Sequence, residues 1–107
     1  MNTIEFNKII EERIKKCCDM LIKKANEYAT EDRLHNFKIA AKLQNCTPIT
    51  ALAGMMCKHT VSVYDLIREN ERGKNIPEAL WEEKIGDSIN YLLLLTALLH
   101  DKNKEVK

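Results

Sequence analysis

The chain has 107 residues, enough for one domain with a single core. It carries 17 basic and 16 acidic residues, a formal net charge of +1. That balance argues against a nucleic-acid groove, which needs clustered excess Lys and Arg, but leaves room for a small anion held by a few basic groups. Three Gly and two Pro among many Leu, Ile, Lys and Glu predict an all-α protein, a four-helix, bundle-like single domain over 1–107.

The first predicted helix runs from Ile4 to Tyr28. Ile10, Ile14, Cys17, Leu21, Ala25 and Tyr28 step by three or four and make one apolar stripe, widened by Ile9, Cys18 and Ile22. Glu11, Glu12, Lys15, Lys16, Lys23 and Lys24 cover the opposite, solvated side. A break follows at Ala29-Thr30, where Thr30 is placed to cap a short second helix carrying Phe37, Ala40, Ala41 and Leu43. The junction EYATEDRLHNF gathers Glu27, Asp32, Arg33, His35 and Asn36 where backbone donors are free. Arg33 is suited to clamp a phosphate and Asn36 to read a base or cap a helix end; the plainer alternative is that Asp32 and Asn36 only tie the junction together.

Asn45 to Thr47 reads as a loop, and Thr47-Pro48 as a cap followed by the first residue of a third helix. Leu52, Met55, Met56, Val63, Leu66 and Ile67 are its expected core face. Lys58 and Asp65 share a face seven residues apart, with Ser62 between them and His59 one step round. Lys58 is a candidate phosphate partner. The polar turn ERGKN returns the chain so that helices three and four pack antiparallel.

Pro77 opens the fourth helix, which holds the most informative segment, WEEKIGDSINYLLLLTALL. Glu83, Asp87 and Asn90 fall at i, i+4 and i+7 and share one face. Asn90 then enters a stretch, Tyr91 to Leu95, with almost no other polar atoms. Such a stripe suits a pocket for a metal ion or polar ligand between helices; the alternative is a wet first turn and an Asn bonded inside the core. With helix three antiparallel, Asp65 is expected to join Glu83 and Asp87 as a three-carboxylate site of the kind magnesium takes. An ordinary surface network, with Lys58–Asp65 and Lys84–Asp87 pairs, explains the same residues. A helix apolar almost all round must be central or must meet another copy, and self-association through it is expected. Four cysteines without a CxxC pair and with no leader segment read as reduced structural thiols, Cys17 and Cys57 among them at apolar positions. No run reaches the roughly 18 apolar residues of a membrane span.

EEKIGDSINYLLLL resembles the last acidic helix of the MazG-like all-α nucleotide pyrophosphohydrolases. EYATEDRLHNF followed by TPITALAGMMCKH is similar to small phage-encoded, nucleotide-modification-associated members of that group. The resemblance covers Glu27 to the end of helix four. It implies an oligomerising helical bundle in the cytoplasm that hydrolyses nucleoside triphosphates with magnesium, Glu83 and Asp87 being metal ligands. Apart from the resemblance, the candidate ligand-facing residues are Arg33, His35, Asn36, Lys58, His59, Asn90 and Tyr91. The chain departs from the family where a Glu-Glu-x-x-Glu motif is expected: MMCKHTVSVYD puts Lys58 and His59 there and keeps only Asp65. The alternatives are a non-catalytic nucleotide binder on the same fold and a protein-interaction module, such as an inhibitor of a host defence enzyme.

Overall fold

The computed structural model describes residues 1–27 and 32–105, and gives four helices: α1 (Thr3–Glu27), α2 (His35–Gln44), α3 (Pro48–Glu71) and α4 (Glu78–Glu105). The expected cap Thr30 and the stripe's last members, Ala25 and Tyr28, lie outside the described side chains. No helix of the described residues is long and apolar enough to cross a membrane.

The helix ends follow from local chemistry. Asn2 caps α1, its Oδ1 accepting the Glu5 N–H at 2.8 Å. Thr47 Oγ1 accepts the Thr50 N–H at 3.2 Å, with Pro48 in the first helical position. α2 ends in a left-handed Asn45 (φ 54°), whose position lets the Cys46 N–H bond back to the Ala41 carbonyl at 2.9 Å. α3 ends the same way, with Gly73 at φ 87° and the Lys74 N–H on the Glu69 carbonyl at 3.1 Å. Glycine is the residue that takes this backbone without a Cβ clash.

α4 is the central helix. It packs against α3 on one side and α1 on the other, while α2 lies on α3. Its apolar coat is therefore used in part within the chain. Leu98 is buried with Leu34, Phe37 and Leu52, and Tyr91, Leu94, Leu95, Ile49, Met55 and Met56 close around them. Leu92, Leu93 and Leu99 stay exposed. The expectation of helices three and four packing side by side holds, with His59 of α3 beside Asp87 and Tyr91 of α4.

Some expected core positions are not core. Ile67 and Leu43 are exposed, as is Cys57, whereas Leu34, Ala51 and Ile76 are buried. Ile67 and Leu43 lie on the edges of their stripes, beyond the arc that a single neighbour covers. All four cysteines are free. Cys17 is buried, and that burial pushes its thiol up.

At the start of α2, Asp32 accepts from Lys38 at 2.7 Å and from the Leu34 N–H at 3.0 Å. Lys38 also reaches Asp101 of α4 at 3.1 Å, so one ammonium ties α2 to the end of α4. The Lys38 hydrogen bond, then the Leu34 N–H, hold the Asp32 carboxyl below the usual carboxylate range. A lowered folded-state value means that the contribution is present above the unfolded value and is lost as pH falls through the folded one. Asp32 is expected to titrate below an ordinary aspartate by carboxyl NMR, and Lys38→Met to move its midpoint back upward. An ordinary midpoint in the wild type would remove this tie from the account of the junction.

Candidate functional site

α1 and α4 run in the same direction. Arg13 and Lys16 both meet Glu82, at 3.8 and 3.0 Å. The Arg13 guanidinium also donates to the Glu82 carbonyl at 3.3 Å. A Cβ at Gly86 would meet Arg13 Nη1 at 3.6 Å, an ordinary contact, so α1 passes close to α4 here without requiring the glycine. Lys16, by its hydrogen bond and charge, holds Glu82 below the usual carboxylate range.

Between these two helices lies a cleft of about 420 Å³, walled on the α1 side by Arg13, Lys16, Cys17 and Lys23 and on the α4 side by Glu83, Gly86, Asp87 and Asn90. A second pocket of about 120 Å³ lies where α2 closes the end of the layer; Arg33, Asn36, Phe37, Met55 and Tyr91 line it together with Asp87 and Asn90. Asp87 and Asn90 thus line both spaces. The larger space falls within the roughly 300–1,000 Å³ of small-molecule sites, and the smaller has room for about four waters or one compact polar group.

Asn90 is 8% exposed, and its Oδ1 has no hydrogen-bond partner. A buried acceptor left unpaired costs about 1–3 kcal/mol, so this amide is a poor choice for packing alone. The same is true on a smaller scale of Ser88 Oγ, also buried and unpaired. The Asn90 side chain belongs to the wall shared by the two cavities.

The predicted residues divide cleanly. Asp87, Asn90 and Tyr91 come together with Arg33 and Asn36, although the two groups are more than 50 residues apart in the chain. Tyr91 packs edge-on against Phe37, with centroids 6.4 Å apart, and stacks at 4.8 Å from His59. His59 Nδ1 lies 3.6 Å from Asp87 Oδ2. Arg33 donates to the Leu21 carbonyl at 3.4 Å and so pins α1 to the junction. His35 stands exposed at the start of α2.

The three-carboxylate metal site is not assembled. Glu83 and Asp87 line one cleft, but Asp65 is exposed on α3 and does not line it. Among the described residues no three His, Cys, Asp or Glu side chains lie close enough to hold a metal ion. The expected third carboxylate, Asp65, therefore does not join Glu83 and Asp87. Lys58 is also exposed, away from both spaces. The reason is register: the face of α3 that meets α4 is centred on His59, one residue beyond Lys58, and Lys58 and Asp65 share the neighbouring face. Sequence reasoning missed Arg13, which it did not single out, and Lys16 and Lys23, which it placed on a solvated face. Their signal was their spacing, 13, 16 and 23, which puts them on one side of the helix.

Comparison of the chain with protein-family models, with curated proteins and with solved structures gives no match.

Proposed function

We propose that this protein binds a nucleotide or a related phosphorylated small molecule in the cleft between α1 and α4, and that it acts as a homo-oligomer. The observation that carries the reading is Asn90, a buried amide with an unpaired Oδ1 in the wall common to both spaces. Asp87 beside it adds a second acceptor. Together they favour a neutral group rich in N–H donors, the kind presented by a nucleobase edge. Phosphates are repelled from that point and favoured toward the Arg13, Lys16 and Lys23 side of the larger cleft. The MazG-like resemblance of the last helix points to the same ligand class. Binding is read ahead of metal-assisted hydrolysis because Asp65, the third carboxylate expected at the site, stands apart from Glu83 and Asp87.

The test is a thermal-shift and calorimetric screen of nucleoside mono- and triphosphates, with and without magnesium, beside a pyrophosphate-release assay. The expected result is a nucleotide-dependent rise in melting temperature that does not need magnesium, without release of pyrophosphate. Magnesium-dependent turnover would replace the binder with an enzyme. No shift with any nucleotide would sink the ligand reading.

A further inference from the structure

α1 carries an apolar stripe that its own chain only half covers. Cys17 is buried and Leu21 half-buried where α1 meets α4 and the junction. The same stripe continues toward the N-terminus through Ile14, Ile10 and Phe6, which stand 48, 46 and 55% exposed. Ile4 and Ile9 beside them are exposed as well. Among the described residues α1 packs on α4 alone, with no close approach to α2 or α3.

The chain as a whole exposes more surface than a compact one of its mass. A compact chain of 12.4 kDa exposes about 6,100 Å². This one exposes 8287 Å². The excess over the whole chain, about 2,200 Å², is comparable with what one subunit contributes to an extensive homodimer interface, and this face is part of it. The radius of gyration agrees: 16.4 Å, against about 13 Å for a compact chain of this length.

We infer that a second copy of this chain packs on the N-terminal half of α1, over Phe6, Ile10 and Ile14. Closed two-fold dimers are the commonest assembly of soluble chains, and a net charge of +1 leaves little repulsion between two copies. The polar residues bordering the stripe, Asn7, Glu11 and Arg13, are of mixed sign. Ile14 stands one turn, about 5 Å, from Cys17 in the cleft wall. The second copy therefore abuts the ligand cleft and holds α1 in place as its wall. This names the surface for the self-association proposed above and rests on that part of the reading, not on the choice of ligand.

Sedimentation velocity at micromolar concentration is expected to give a dimer. Ile10→Ala combined with Ile14→Ala should raise its dissociation constant at least tenfold. Ile10→Glu with Ile14→Glu should give a monomer at concentrations where the wild type is dimeric, with circular dichroism reporting that the helices remain. Leu92→Glu with Leu99→Glu, on the outer face of α4, should leave the dimer intact. A wild-type monomer overturns self-association itself. A dimer insensitive to both α1 pairs, or one broken only by the α4 pair, overturns this seat while leaving self-association standing. Neither outcome touches nucleotide binding, which is read by the thermal shift.

Discussion

Asn90→Leu is expected to make the protein more stable and unable to bind its ligand. The substitution keeps the approximate volume and removes an acceptor that is buried and unpaired. Relief of that desolvation cost is worth about 1–3 kcal/mol, which in a domain of this size raises the melting temperature by roughly 4–8 °C per kcal/mol. The nucleotide-induced shift should vanish in the same variant, because the group that meets the ligand's donors has gone. Stability and function then move in opposite directions, the behaviour of a residue retained for binding. A fall in melting temperature would show that the amide serves the apo fold, and would take away the observation on which the ligand site rests.

Leu52→Ala is expected to give the largest loss of stability. Leu52 is 1% exposed and sits in the cluster where α2, α3 and α4 meet, with Leu34, Phe37 and Leu98. Truncation leaves a cavity among side chains from three helices, so local collapse cannot fill it, and the cost should be about 2–5 kcal/mol. Chemical denaturation read by circular dichroism measures it. Ile67→Ala serves as the contrast: Ile67 is a large aliphatic on the same helix, but exposed, and its loss should be small. Equal costs for the two would mean that the buried cluster is not where the folding energy lies.

The third helix was legible in the sequence because both its ends have a punctuation mark with a physical cause: Thr47-Pro48 starts α3 and Gly73 in ERGKN ends it, as Asn45 ends α2. The start of α2 was not, since it falls at His35, after a Leu34 that caps with no side-chain bond. The stripe Glu83–Asp87–Asn90 was legible too, since the i, i+4, i+7 spacing fixes a shared face whatever surrounds it. What the spacing cannot give is the rotation of one helix against another. Lys58 and Asp65 do share a face, as expected, but α3 turns His59 toward α4 instead. A rotation of about 100°, one residue, separates the two outcomes. The apolar run of α4 was ambiguous for a related reason. Being central and meeting another copy produce the same pattern, and only the observed packing of α4 between α1 and α3 shows how much is used within the chain.

The way α1 is attached has a consequence for how the chain keeps its fold. α2, α3 and α4 follow one another through short connections and share one buried apolar cluster, Leu34, Phe37, Leu52 and Leu98. Burial of that cluster offsets the entropy of closing the chain around it. The bond from Arg13 to the Glu82 carbonyl spans 69 residues, and what accompanies it is one buried thiol and charges that remain in water. Exposed pairs of that kind give little in return for the closure entropy of so long a loop. α1 is thus the helix that its own chain holds with the least apolar burial, and the first expected to be released in local opening. Since α1 forms a whole wall of the cleft, the ligand site exists only while α1 is docked, and anything that binds there selects the fully packed chain over forms in which α1 has let go.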